Sequence, residues 1–313
     1  MPEPKRHHYL PESYLRRFTR GGAPDSLFAV YDRQQDEFRI QTPRNTAVAN
    51  YYYTVQTAAG EKSAHIEKGL AQVEDLAKPV IEKLPAGEQP TSHDRQNLAL
   101  FIALLHTRVP QFERATLEMA TGVYKKTSRL ALPTQESVAT RLRSLYPDQP
   151  PDDATVAQLF QIFQNGEYEM KFDKGWLRRM MLEMALSVGW GLWQMHWVAY
   201  RAHPTTSFIT SDSPFVVLPP RKFPRVFPFT YGIETPGAVK VVPLTQSLCL
   251  CIGDKGLTLQ HQQVPQSEVR AINVQVARNC ERNVIGRDMD LVKSIVAKAH
   301  LSGTERGPIA RVF

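Results

Sequence analysis

Residues 26–42, SLFAVYDRQQDEFRIQT, hold two short apolar runs separated by a polar turn. In the first run Ala29 and Tyr31 alternate with Phe28 and Val30, which is the two-residue period of a β-strand. The second run, EFRIQT, alternates in the same way after the polar residues. The stretch therefore predicts a β-hairpin close to the N-terminus.

Beyond the hairpin the apolar residues take the period of helices. From about residue 63 to about residue 202 they recur at every third or fourth position. The last predicted helix of this section runs from Lys174 to Ala202. On it Trp190, Trp193 and Trp197 fall on one face, and such an aromatic stripe is more typical of a packed core than of a ligand site.

After His203 the sequence predicts strands again, in TTSFITSDSPFVVLPP, AVKVVPLT and SLCLCIGD. Between the first two lies a proline-rich, basic and aromatic loop at 219–231, which we interpret as a flexible lid or a partner-binding surface. The simplest closure pairs the N-terminal hairpin with these late strands in one mostly antiparallel sheet. We therefore predict a single α+β domain over residues 1–300 with a large helical middle section, followed by a polar tail at 301–313.

The composition limits the class of protein and its partners. Lys and Arg outnumber Asp and Glu by 38 to 31, which gives a net charge of +7 and favours nucleic acid or phosphate-bearing ligands as partners. An unspecialised basic surface is the alternative.

Three cysteines and no apolar signal segment indicate a reducing cytoplasm rather than a disulfide framework. No stretch approaches the roughly 20 apolar residues of a membrane helix, so no membrane is expected. The oligomeric state is left open.

The opening HHYLPESYLRRF is the first candidate for chemistry. A neutral imidazole serves as a metal ligand or a general base, or it docks in the fold by a bond to a backbone carbonyl. If a helix follows Pro11, Arg16 and Arg17 share much of one face and can neutralise phosphate charge. No phosphate loop, dinucleotide fingerprint, nucleophile elbow or paired-cysteine motif accompanies them.

Three further candidates lie elsewhere in the chain. In Ser211-Asp212-Ser213-Pro214 a carboxylate follows a strand, which suits catalysis or metal binding, or else caps a turn. Arg108 lies before Pro110, where it clamps a phosphate or neutralises the end of a helix. Asn273 lies among apolar residues, where it contacts substrate or ties a helix to a sheet.

Two of these motifs together resemble a bacterial family called domain of unknown function 4238. Members of that family carry His-Tyr-x-Pro near the start and Ser-Asp-Asn-Pro in the C-terminal half, which correspond here to His8–Pro11 and Ser211–Pro214. Ser213 departs from the usual asparagine. AVYDR, LHTRVP, VVPLT and RAINVQVAR are also similar in order and spacing. The resemblance covers about residues 5–285, singles out His8 of the two histidines, and implies no established activity.

Two functional hypotheses follow. The first is a metal-dependent hydrolase of phosphodiesters, such as a nuclease, in which Asp212 and His8 hold a divalent ion and arginines at 16, 17 and 108 neutralise phosphate. In it Ser211 and Asn273 contact the substrate. The second is a non-catalytic module that binds nucleic acid or another protein through its basic and aromatic segments. The hydrolase requires His8 and Asp212 to meet, whereas the binding module does not.

Overall fold

The computed structural model describes residues 6–23, 25–56, 62–63, 65–220, 222 and 231–301. Most of the 219–231 loop, predicted to be a lid or a partner-binding surface, lies outside the described residues. The predicted polar tail lies outside them from residue 302 onward.

The described chain alternates between strands and helices along its length. The strands are β1 (Arg6–His8), β2 (Phe28–Asp32), β3 (Glu37–Gln41), β4 (Val48–Asn50), β5 (Val55–Gln56), β6 (Lys62–Ser63), β7 (Met195–Ala202), β8 (Thr210–Ser211), β9 (Val216–Leu218), β10 (Val239–Pro243), β11 (Leu248–Lys255), β12 (Leu259–Val264) and β13 (Asn283–Gly286). The helices are α1 (Glu12–Arg16), α2 (His65–Lys83), α3 (Ser92–Thr107), α4 (Pro110–Ala131), α5 (Gln135–Leu145), α6 (Asp153–Asn165), α7 (Lys174–Trp193), α8 (Gln266–Asn279) and α9 (Met289–Ala299).

The strands form two principal sheets rather than the predicted single sheet. A five-stranded sheet has the order β12-β7-β11-β10-β9 and is antiparallel except for the β12–β7 pair. A four-stranded antiparallel sheet has the order β3-β2-β13-β8. The α+β class and the predicted hairpin are confirmed. Strand β2 of the hairpin pairs with the late strand β13, which in turn pairs with β8, whereas β9 to β12 pair among themselves and with β7.

The prediction of a helix from Lys174 to Ala202 is wrong in its last third. Helix α7 ends at Trp193, and MHWVAYRA forms β7 in the interior of the five-stranded sheet. Trp197 is fully buried on this strand, whereas Trp190 on the helix is 61% exposed, so the three tryptophans share no buried face. Pairing on both sides of β7 supplies hydrogen bonds that the local sequence does not reveal.

Helices α3 and α7 pack closely in the larger hydrophobic core. Thr91 caps α3 in a reciprocal pair of bonds with Asp94. On α7, a side chain at Gly189 would force the neighbouring backbone of α3 to move slightly, since a Cβ there would lie 3.2 Å from Leu100 Cα. Helix α2 continues through Pro79, although proline commonly kinks or interrupts a helix.

The chain divides into two compact units. The first comprises residues 1–113 and 174–313 and contains both principal sheets, and the second comprises residues 114–173. The second unit has its own small core around Val138, Ala139 and Val156. Whether the chain behaves as one domain stays a prediction. Among the described residues, no helix combines the length and the apolar character needed to cross a membrane.

Candidate functional site

The Ser211–Pro214 segment is clasped by the residues that follow helix α8. Both oxygens of Asp212 accept backbone N–H groups: Oδ1 from Glu281 at 2.9 Å, and Oδ2 from Arg282 and Asn283 at 2.7 and 2.9 Å. In the opposite direction, the side-chain amide of Asn279 donates to the carbonyls of residues 213 and 215. The strand β8 thus ends in a carboxylate whose position is fixed by the backbone.

The Asp212 carboxyl group has an unusual acidity. It is only 3% exposed, and burial raises its pKa to about 6. The three backbone N–H groups act in the opposite direction, and the neighbouring Glu281 carboxylate adds to the rise. A carboxyl group with such a pKa exchanges its proton close to neutral pH, which is what a general acid or base requires.

Tyr9 is the residue of the His-Tyr-Leu-Pro motif whose hydroxyl feels the charge of Asp212. Burial raises the pKa of the Tyr9 phenol well above its usual value, and the charge of Asp212 raises it further. Arg282 and a hydrogen bond with Asn283 partly offset this effect. Tyr9 therefore stays protonated at neutral pH and can donate a hydrogen bond.

A second carboxylate, Asp32, lies at the same end of the four-stranded sheet. Its Oδ2 accepts from Arg282 Nε at 2.9 Å and from Arg39 Nη1 at 3.1 Å, while Arg39 Nη2 donates to Asn283 at 3.4 Å. Asn283 pairs with Asp32 across neighbouring strands, so their side chains share one face. Burial acts to raise the pKa of Asp32, but Arg282 outweighs it and holds that pKa below its usual value.

We call Tyr9, Asp32, Arg39, Asp212, Arg282 and Asn283 the Asp212 cluster. It contains two carboxyl groups whose pKa values are displaced in opposite directions, with a guanidinium that acts on both. Such a pair is a common basis for acid–base catalysis. The side chains of Arg282 and Arg39 are 40% and 31% exposed, whereas Asp32 and Asp212 are buried.

The His8 imidazole is directed elsewhere. Its Nε2 donates to the Arg44 carbonyl at 3.2 Å, and burial lowers its pKa, with Glu12 and Arg108 among the charges that act on it. His7, on the opposite side of β1, is buried and accepts the Tyr53 backbone N–H at Nδ1. The structure therefore brings Asp212 to Tyr9 and gives the His8 ring a backbone partner.

Arg108 is buried in a separate polar network. It donates to the Tyr53 hydroxyl at 3.0 Å, to Glu74 at 2.7 Å and to the backbone carbonyl of His8 at 2.8 Å. With 3% of its surface exposed, it supports the N-terminal strand. Three of its five N–H groups are thus bonded within the protein, and its role as a phosphate clamp stays a prediction.

The remaining predicted contacts also have partners within the protein. Arg16 pairs with Glu12 on the same helix, and Arg17 lies 3.7 Å from Glu82. Asn273 accepts the Ile209 N–H at 3.0 Å and donates to the Ser207 carbonyl at 2.8 Å, which is the backbone tie considered from the sequence. Ser211 Oγ accepts the Ser213 N–H at 3.2 Å within the turn. Their roles toward a substrate stay predictions.

The role of His8 and Asp212 as metal ligands stays a prediction. The oxygens of Asp212 accept three N–H groups, and the Nε2 of His8 is a donor. Within the part of the chain that the structure describes, no three or more His, Cys, Asp or Glu side chains are grouped so that they could hold a metal ion. All three cysteines are buried, as their apolar surroundings in the sequence indicated.

Sequence reasoning missed most partners of Asp212. Tyr9 and Asp32 stand in segments whose resemblance to the family was noted, HYLP and AVYDR, so a signal for them existed. Arg282 and Asn283 carry no such signal. They reach the cluster because β13 pairs with β2 and β8, and these pairings join segments far apart in the chain.

Comparison with known proteins identifies one family. A family model described as "Protein of unknown function (DUF4238)" matches residues 6–290, which includes every member of the Asp212 cluster. No curated protein and no solved structure matches the chain.

Proposed function

The chain belongs to the DUF4238 family of proteins of unknown function, and we propose that it is a hydrolase of phosphodiesters whose reaction centre is the Asp212 cluster. One observation carries the proposal. Residues from four separate segments meet there, and the two carboxyl groups among them have pKa values displaced in opposite directions. Titratable groups perturbed in this way concentrate at functional sites.

Each side chain has a defined role in this proposal. Asp212, with a pKa of about 6, takes a proton from the attacking water as the water oxygen bonds to phosphorus, and returns that proton to the ester oxygen that leaves when its P–O bond breaks. Tyr9, protonated at neutral pH, donates a hydrogen bond to a phosphate oxygen. Arg282 and Arg39, held in place by Asp32, neutralise the charge of the phosphate from the exposed side.

The metal ion of the sequence hypothesis is not needed in this proposal, because Arg282 and Arg39 supply the positive charge that the phosphate requires. The binding-module alternative rested partly on aromatic segments, one of which is the run of three tyrosines at 51–53. Tyr53 is buried against Arg108, and Tyr52 packs 4.2 Å from the Arg178 guanidinium. Two of the three rings are therefore committed to the fold rather than to stacking on bases.

The test is hydrolysis of bis-p-nitrophenyl phosphate, single-stranded DNA and RNA by the wild-type protein and by Tyr9→Phe. Tyr146→Phe is the matched control, since it removes a hydroxyl from an exposed ring outside the cluster. We expect Tyr9→Phe to lower kcat by at least about 30-fold without a comparable change in melting temperature, from the worth of one hydrogen bond to a charged group. We also expect the wild-type rate to rise with pH through about 6.

Two results would contradict the proposal. One is a folded wild-type protein that leaves all three substrates intact, with and without added Mg²⁺ or Mn²⁺. The other is hydrolysis that Tyr9→Phe and Tyr146→Phe retain equally. Addition of EDTA separates the mechanisms: activity that it abolishes supports the metal-dependent hypothesis over the one proposed.

A further inference from the structure

A pocket of about 490 Å³ lies at the other end of β13 from the Asp212 cluster. Arg282 precedes this strand and Arg287 follows it, so about five residues of extended chain, or roughly 16 Å, separate the two sites. Four segments line the pocket: the chain after α1 at Arg20, the chain after β7 at His203, the turn between β10 and β11 at Gln246, and the chain before α9 at Arg287. All of them belong to the first compact unit.

The charges in this pocket are arranged around one carboxylate. Asp288 Oδ1 caps helix α9 by accepting the Leu291 N–H at 2.9 Å. Its Oδ2 accepts from Arg287 Nε at 3.0 Å and lies 3.9 Å from Arg20 Nη2. Asp288 is the single carboxylate among the lining residues, so two guanidinium groups face one negative charge. The pocket therefore carries an excess of positive charge.

The guanidinium groups also retain donors. Each arginine has five N–H groups, and the described hydrogen bonds of Arg287 use only its Nε. Its side chain is 36% exposed and that of Arg20 is 75% exposed, so both are accessible to a molecule in the pocket. Between them the walls hold neutral polar side chains, including Thr206 and Ser247. A site with these properties suits an oxyanion with several acceptor atoms.

The shape favours a small molecule over a polymer. The volume falls within the range of about 300–1,000 Å³ that small-ligand sites occupy. A terminal phosphate carries nearly two negative charges at neutral pH and can enter a recess, whereas a diester phosphate carries one charge and continues as chain on both sides. We propose that this pocket binds the phosphate group of a small phosphomonoester, held by Arg20 and Arg287.

The test is calorimetric titration of the full chain with adenosine monophosphate and with inorganic phosphate at low salt. The variants are Arg20→Gln and Arg287→Gln, and Arg143→Gln is the control because it removes the same charge from an exposed arginine outside the pocket. We expect saturable binding of both probes by the wild-type protein. Each pocket variant should weaken it at least about tenfold, and the control should leave it unchanged.

The fold of each variant is checked by its melting temperature. Arg20 is largely exposed, so Arg20→Gln remains informative even if Arg287→Gln loses stability with its Asp288 pair. The proposal is overturned if the wild-type protein binds neither probe, or if Arg20→Gln binds them as tightly as the wild-type protein does. It is also overturned if an oligonucleotide without terminal phosphate competes better than adenosine monophosphate.

Discussion

Replacement of Asp212 by asparagine tests the balance of forces on this buried carboxyl group. Two effects oppose each other at the site: burial favours the neutral form, and three backbone N–H groups favour the charged form. The outcome, a pKa of about 6, means that burial dominates. The Asp212→Asn variant cannot ionise, so a comparison with the wild-type protein isolates the contribution of this one group.

The size of the effect follows from proton linkage. The pKa of Asp212 is about 6 in the folded protein against an ordinary value of 3.8, so between these values the folded protein keeps a proton that the unfolded chain has released. The stabilisation is complete below pH 3.8 and is lost as the pH rises through 6. At about 1.4 kcal/mol for each pKa unit, the loss amounts to about 3 kcal/mol of unfolding free energy.

The measurement is urea unfolding of both proteins, followed by circular dichroism, at intervals from pH 4 to pH 7. Asparagine retains one acceptor oxygen for the N–H groups, so the variant should lose about 1–3 kcal/mol at any pH through that change alone. On top of this constant, the stability advantage of the wild-type protein should shrink by about 2 kcal/mol between pH 4 and pH 7, because part of the total loss has already occurred at pH 4. An advantage that is constant, or that grows toward pH 7, would refute the reasoning and show that the backbone N–H groups dominate.

Three other substitutions test parts of the fold. Arg95→Leu should lower the unfolding free energy by about 3–5 kcal/mol. The reason is that the buried guanidinium donates to the carbonyls of residues 193, 195 and 258 and lies 3.9 Å from the centre of the Trp197 ring. A loss under about 1 kcal/mol in urea unfolding would contradict this. Asn273→Ala should cost about 2–4 kcal/mol, since it leaves the Ile209 N–H and the Ser207 carbonyl unpaired; calorimetry would detect this as a lower melting temperature, and an unchanged value would exclude the tie. Gly286→Ala should lower the unfolding free energy by about 1–3 kcal/mol, because its Cβ would lie 2.8 Å from Val292 Cγ2. Gly253→Ala is the control, since its Cβ would lie 4.0 Å from the nearest atom and the unfolding free energy should change by less than about 0.5 kcal/mol. Equal losses in the two variants would argue against steric crowding at Gly286.

The local features of the fold could be predicted from the sequence, and the pairings between distant segments could not. The hairpin at 26–42 and the capped start of α3 depend on neighbouring residues alone, so their patterns are complete within a short window. The end of α7 at Trp193 is different. MHWVAYRA continues an apolar helical pattern, and it becomes a strand because β11 and β12 pair with it from both sides.

The same limit applies to the candidate site. The sequence singled out Asp212 and the His-Tyr-Leu-Pro motif, and the structure places parts of both in one cluster. It gave no indication that Asp212 acts on Tyr9, because successive side chains of an extended chain point to opposite faces and only the tertiary structure decides which face is turned to Asp212. Buried arginines such as Arg95 were equally hidden, since their partners are backbone carbonyls about 100 or more residues away.

The clasp around Asp212 has a consequence for the order of events in folding. Its hydrogen bonds join groups that are 64 to 71 residues apart, and β9 to β12 and helix α8 lie between them. The entropy of closing so long a segment must be overcome before any of these bonds forms. The clasp should therefore be absent from the folding transition state, and its weakening should accelerate unfolding while leaving the refolding rate nearly unchanged. In this respect the Ser211–Pro214 segment should govern the lifetime of the native state rather than the rate of folding.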